Sequence, residues 1–218
     1  MLKKNKATLI VTTLVMLIPM LVGLLLWNKL PDPMPSHWDI NGEVDGWSSK
    51  GFAVFFFPAL LLAIHWLCVF ASCADPKSKN YTPKMITLVL WICPVLSLVV
   101  NSMVYAAGLG YEISIEIIMP LLVGLMFIIV GNLLPKCRQS YTMGIKLPWT
   151  LANEENWNKT HRFGGKLWVI GGIITMATAL VGSFWILMGV LIVMVAAPTI
   201  YSYRLYRKQT KNAEGGQQ

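Results

Sequence analysis

The sequence predicts an all-α, polytopic membrane protein with six transmembrane helices and both termini in the cytoplasm. Three observations point there. Hydrophobic residues fill 56% of the 218 positions, charged residues only 13%, and the mean hydropathy is +0.59. A soluble domain carries roughly 25% charge, so this chain has too little polar surface to stay in water. Its apolar residues gather in six runs of about twenty, the length that crosses ~30 Å of hydrocarbon at ~1.5 Å per residue. Finally, 16 of the 18 Lys and Arg residues fall on one side of the alternating runs, the bias that orients cytoplasmic loops. Disordered, collagen-like and ordinary soluble classes are excluded.

The runs cover residues 7–27, 52–71, 85–107, 113–134, 167–182 and 184–203. The first follows Lys3, Lys4 and Lys6 and ends at Leu26-Trp27-Asn28-Lys29 without a small-residue cleavage site, so it reads as an uncleaved anchor. The last two form one apolar block broken only by Gly182–Ser183. A single helix of that length would overshoot any bilayer, so a tight helical hairpin is expected. The domain organisation follows. A two-span module (1–72) carries an extracytoplasmic loop at 28–51, and a third span with flanking loops fills 73–112. A C-terminal module (113–205) carries a cytoplasmic loop at 135–166 and the helical hairpin. The tail, 206–218, is polar and Gly-rich towards its end and is expected to be disordered in the cytoplasm.

Charge is explained by topology. Only Lys29 and Lys50 lie outside, together with Asp32, Asp39, Glu43, Asp45, Glu112 and Glu116. The net charge of +8 therefore marks inner loops facing a lipid bilayer, and no direct nucleic-acid partner is expected. The four cysteines form no CxxC pair and read as reduced thiols. His65 is the only histidine inside a run, with Cys68 on the same helix face and Cys93 at comparable depth in the next run. No ligand motif supports a metal there, so a neutral histidine hydrogen-bonded to a neighbouring helix is expected, with no metal and no cofactor. HExxH, GxSxG and acidic pairs within spans are all missing, which argues against an enzyme. In the fifth run Gly164, Gly171, Thr175, Thr178 and Gly182 form one face for close helix packing.

Two loops carry information. In the first, Pro31, Pro33 and Pro35 stiffen an extended segment, and Asn41–Gly42 and Asp45–Gly46 signal turns. Trp38 and Trp47 flank an acidic cluster. Pro31, Asp32, His37, Trp38 and Asp45 are the candidate residues for engaging a cationic or amphipathic ligand outside. A purely interfacial loop, its tryptophans at headgroup level, is the alternative. In the second loop, Pro148 makes Leu147 extended, Thr150 or Asn153 caps a short helix, and Gly164–Gly165 ends it. Trp157 and His161 share a face at i, i+4, consistent with a helix lying on the inner leaflet. Lys136, Lys146, Pro148, Trp149, Trp157, His161 and Arg162 are the candidates for docking a cytosolic protein.

At these loops the sequence resembles the SdpI/YfhL family of bacterial membrane proteins. The resemblance rests on Gly131-Asn-Leu-Leu-Pro-Lys136, Gly144-Ile-Lys-Leu-Pro-Trp-Thr150 and Glu154-Glu155-x-Trp157-x-Lys-Thr-His-Arg-Phe-Gly-Gly165, in that order. The first loop, with Leu30-Pro-Asp, Pro35-x-His37, Gly42-Glu-x-Asp-Gly46 and Lys50, resembles the short N-terminal module of unknown function often joined to that family. Lys146 stands where Arg is usual and Ser140 where Asn is expected. The resemblance implies an immunity protein that protects against a secreted killing peptide. It also implies a sensor that holds a cytosolic repressor at the membrane when the peptide is engaged. A small transporter or channel for a toxic solute, and a membrane assembly protein, remain the alternatives.

Overall fold

A computed structural model of the chain describes residues 3–215. It contains seven α-helices and one two-stranded sheet. Helix α1 covers Lys6–Leu25, α2 Phe57–Ala74, α3 Pro83–Gly108, α4 Ile115–Leu133, α5 Pro148–Ala152, α6 Glu154–Val181 and α7 Phe184–Gly215. A π-helical turn, Phe52–Phe56, leads into α2. Six of the helical stretches are long and apolar enough to cross a membrane, matching the six predicted runs. Between 11% and 33% of each spanning window is buried by protein, and Leu25 and Leu180 are 85% and 92% exposed. Apolar surface on that scale needs hydrocarbon around it. The protein is multi-pass.

The chain divides into two compact units. The first comprises Met1–Ala74 with Pro83–Ile115, and the second Asp75–Thr82 with Glu116–Gln218. The short segment 75–82 thus joins α2 to α3 in sequence but clusters with the second unit.

In the first unit α1, α2 and α3 pack together. Close approach depends on Gly23, where a Cβ would lie 2.6 Å from Val54 and 2.9 Å from the Tyr105 hydroxyl. That hydroxyl donates to the Pro19 carbonyl at 3.0 Å. The loop after α1 departs from the all-α expectation by forming an antiparallel hairpin, β1 (Met34–Trp38) with β2 (Val44–Ser48). Leu30 and Met34 seat it in one cluster with Ala53, Val54, Val104 and Tyr105. His65 behaves as expected. Thr12, on α1, donates its hydroxyl proton to Leu9 O at 3.1 Å, so the imidazole Nε2–H is the donor to Thr12 Oγ1 at 3.4 Å.

In the second unit α6 is one continuous helix. The predicted surface helix ending at Gly164–Gly165 and the predicted span starting at residue 167 are the same element. Those glycines do not stop the helix because neighbours press on both. A Cβ on Gly165 would lie 2.7 Å from Gly131 O, and one on Gly172 2.6 Å from Gly124 O. The two pairs are seven residues apart on both helices, so α4 and α6 meet antiparallel along a glycine seam. Gly164 and Gly171 form a second seam one residue over, against Pro198 and Met194 of α7. The predicted small-residue face is this second seam. The first escaped notice because its partner glycines lie on another helix. The expected hairpin between α6 and α7 forms at Gly182, left-handed at φ +65°, whose N–H reaches Thr178 O at 2.8 Å. Helix α7 continues to Gly215, where the polar composition of the tail had suggested disorder, and residues 216–218 of that expectation lie outside the described residues.

Candidate functional site

The hairpin is built from its turn outward. Asp39 Oδ1 accepts from the N–H groups of Asn41 (2.8 Å) and Glu43 (2.9 Å). The Glu43 backbone bond is the main cause that keeps the Asp39 carboxyl below its ordinary value. Gly42 sits at φ +86°, as its turn signal predicted. Asp45–Gly46, also read as a turn, is instead strand. Gly46 pairs with His37, and a Cβ there would lie 2.6 Å from the His37 Cβ. This close approach brings His37 Nδ1 to 2.5 Å from Asp45 Oδ1, with the two side chains 70% and 49% exposed. Asp32 Oδ1 accepts from Lys50 N at 3.1 Å, and Lys50 Nζ donates to Trp27 O at 3.0 Å while lying over the Trp27 ring. Those bonds close the base of the loop. Pro31 is exposed, and the Asp32–Pro33 bond is cis. Trp38 is half-buried against the seating cluster, whereas Trp47 is exposed. Asp32, His37 and Asp45 therefore lie on one folded hairpin.

The second loop folds differently. Trp157 is fully buried, and its indole N–H donates to Cys137 O at 2.7 Å. His161, 1% exposed, stacks on that indole with ring centroids 4.0 Å apart. Its Nδ1–H donates to Trp157 O at 2.7 Å, so Nε2 is free to accept from Ile145 N at 2.9 Å. That pair of bonds requires the neutral ring. Gly144 lies against both rings at φ +104°, and a Cβ there would come within 2.4 Å of His161 Nε2. The leaflet-facing role expected of Trp157 and His161 is thus overturned. The indole and imidazole are 0% and 1% exposed within the protein, and each polar nitrogen finds a backbone partner.

A buried carboxylate that the sequence reading passed over ties this loop down. Asp75 is 4% exposed. Its Oδ2 accepts from Tyr81 OH (2.6 Å), Tyr141 N (2.9 Å), Thr142 N (3.0 Å) and Thr142 Oγ1 (2.7 Å), and its Oδ1 accepts from Lys77 N (2.7 Å). Burial alone would raise this carboxyl, but the bonds from Tyr81, Thr142 and Lys77 together outweigh it and hold it at about 2. Burial and then the Asp75 hydrogen bond push the Tyr81 phenol up. Lys77 also donates to Gln139 Oε1, and Asn80 Nδ2 reaches Gln139 O at 2.7 Å. Burial raises the Cys137 thiol to about 12, so it is inert. The available signal was that Asp75 is the one acidic residue between the second and third apolar runs.

Trp149 is half-buried, its indole N–H donating to Ser202 Oγ at 2.6 Å. Ser202 and Thr160 both donate to Asn156 Oδ1 at 3.0 Å, completing a buried polar chain between α6 and α7. Asn153 caps α6, accepting from Asn156 N at 2.9 Å, one of the two predicted caps. Lys136, Lys146, Pro148 and Arg162 are exposed, and Lys146 Nζ donates to Thr142 O at 3.0 Å. Among the described residues no three His, Cys, Asp or Glu side chains are placed to share a metal ion.

The knotted loop, the Trp149 pair and the α6–α7 hairpin fall within one stretch that comparison with known families picks out. Residues 136–202 match the SdpI/YfhL protein family. Residues 14–62, spanning most of α1, the hairpin and the start of α2, match a domain of unknown function, DUF1648. These segments hold the motifs that carried the resemblance, except residues 131–135, which precede the SdpI/YfhL segment. The chain is also 28% identical, over 94% of its length and 97% of the relative's, to the protein named immunity protein SdpI of Bacillus subtilis (strain 168). No solved structure matches the chain significantly. Within the SdpI/YfhL segment, Trp157, His161 and Gly144 form the interior that holds the loop, while Lys136, Lys146, Pro148 and Arg162 form its accessible face.

Proposed function

We propose that this chain is a membrane immunity protein that protects its cell against a secreted killing peptide. The likeness to immunity protein SdpI along nearly the whole of both chains carries this reading. The biased distribution of Lys and Arg supports an N-in, C-in topology in the cytoplasmic membrane, with the hairpin outside and the 137–153 loop inside. On that topology Pro31, Asp32, His37, Trp38 and Asp45 meet the peptide. The hairpin suits the task, because its backbone is already folded and little ordering entropy opposes capture.

Signalling is the finer part of the proposal. The exposed cations Lys136, Lys146 and Arg162, with Pro148 and the half-buried Trp149, form the face that a cytosolic repressor docks on. Trp157 and His161 act from within by holding that face in shape. Chain continuity supports a relay, since the segment 75–82 joins α2 to α3 while Asp75 grips the loop. A relay requires the peptide to bind one arrangement better than the other.

The test is a challenge of peptide-sensitive cells expressing the chain. Wild type is expected to restore growth. Asp32→Ala and Trp38→Ala reduce protection, whereas Lys146→Ala and Arg162→Ala keep protection and abolish membrane retention of a tagged repressor. Unchanged survival with wild type overturns the immunity reading. Protection lost through the inner changes alone reverses the roles of the two loops.

A further inference from the structure

We propose that the end of α7 holds the phosphate of an anionic phospholipid headgroup. A cavity of about 310 Å³ opens there, lined by Tyr203, Tyr206, Arg207, Thr210 and Lys211. These positions recur at i, i+3/i+4 and i+7/i+8, so they share one helix face. Its aromatic wall is fixed in place. Trp149 stacks on Tyr206 at 5.9 Å with 24° between planes and meets Tyr203 edge-on at 5.5 Å, while its own indole is anchored on Ser202. Thr210 spends its proton on Tyr206 O at 3.0 Å. Of the lining side chains only the Arg207 guanidinium and the Lys211 ammonium bring charged donors; the Tyr203 and Tyr206 hydroxyls are neutral ones. Among the described residues the ion pairs are His37–Asp45 and Lys159–Glu155, so neither cation has a carboxylate partner there.

Depth selects lipid over a cytosolic acidic protein. Twenty residues from Phe184 span ~30 Å and bring the helix to the hydrocarbon edge near Tyr203. Arg207 lies a further ~6 Å along, within a headgroup layer of roughly 5–8 Å per leaflet. Lys211 is another turn on, but helical side chains lean towards the N-terminus, which for α7 is the membrane side, so its ammonium reaches back to the same level. Tyrosine pairs at this depth are at home between hydrocarbon and water. Two cations over an aromatic floor favour a headgroup carrying net negative charge and disfavour one whose own ammonium cancels its phosphate. This site is independent of the immunity reading.

Native mass spectrometry of the purified full-length protein tests it, with phosphatidylglycerol and phosphatidylcholine offered in equal amounts. Wild type is expected to retain phosphatidylglycerol with a preference of roughly tenfold. The Arg207→Gln/Lys211→Gln double variant is expected to lose that preference, while a Lys84→Gln/Arg138→Gln control keeps it. Both pairs are exposed, and an unchanged melting midpoint in phosphatidylcholine shows that the fold is intact. Equal retention of the two lipids by wild type overturns the site, as does an unaltered preference in the double variant. An equal loss in the control assigns the effect to diffuse charge and also overturns it. Complete displacement of the lipid by millimolar inorganic phosphate would mark a soluble-anion site instead.

Discussion

The hairpin of the first unit and the core around the 137–145 loop of the second each hold a histidine, an aspartate and tryptophan, in opposite states. His37 and Asp45 are 70% and 49% exposed and touch mainly each other, while Trp47 stands out from the strand. His161 and Asp75 are 1% and 4% exposed; both ring nitrogens of His161 have backbone partners, and Asp75 has backbone and side-chain donors. An exposed ion pair contributes little to stability because water competes for both charges. A buried carboxylate with five donors cannot lose them without leaving donors or acceptors unsatisfied. His37 and Asp45 are thus available to a ligand at small structural cost, while His161 and Asp75 are committed to shape. This division explains why Trp157 and His161 of this chain serve as internal scaffolding.

The largest effect that would break this contrast is expected at Trp157. Trp157→Ala removes a fully buried indole and strands Cys137 O, and should lower stability by about 3–5 kcal/mol. Thermal unfolding of the detergent-solubilised protein measures it, and a loss below about 1 kcal/mol would mean the loop has no such core. Next is Asp75→Asn, expected to cost about 2–3 kcal/mol at neutral pH through loss of charge-assisted hydrogen bonds. The sign of its pH dependence follows from the lowered value. Because the folded carboxyl titrates at about 2, below its unfolded 3.8, its contribution is complete above about pH 4 and disappears as pH falls towards 2. Wild type should lose stability across that window more steeply than Asp75→Asn.

Helix contact sharpens the comparison on a smaller scale. Gly172→Ala forces a methyl against Gly124 O and should destabilise by about 1–3 kcal/mol. Gly189→Ala, where nothing lies within 4 Å of the added carbon, should be neutral or stabilising by up to ~1 kcal/mol. Equal effects at both sites would refute the glycine seam. The smallest change is expected at the hairpin, where Asp45→Asn should shift stability by less than about 1 kcal/mol while reducing protection in the challenge assay. A large destabilisation there would make the His37–Asp45 pair structural.

Composition and periodicity by themselves determined the six spans, the inter-helix turn at Gly182 and the Gly42 turn, and narrowed the α6 cap to Thr150 or Asn153. Each rests on local physics: the length of apolar run a bilayer demands, a left-handed backbone position, or a side chain bonding its own helix end. The motifs around Gly144–Thr150 and Glu154–Gly165 likewise marked the segment that matches the SdpI/YfhL family. Other features depend on groups far apart in the chain and were decided only in three dimensions. Gly164–Gly165 looks like a helix stop until Gly131 and Pro198 are brought against it, because a glycine that admits a neighbour and one that ends a helix read alike. Trp157 and His161 look amphipathic until the 137–145 loop folds over them and supplies Cys137 O and Ile145 N. Asp75 looks like one more loop charge until Tyr81 and Thr142 converge on it. Burial of a polar group becomes favourable only when its partners arrive together, and no window of sequence contains them all.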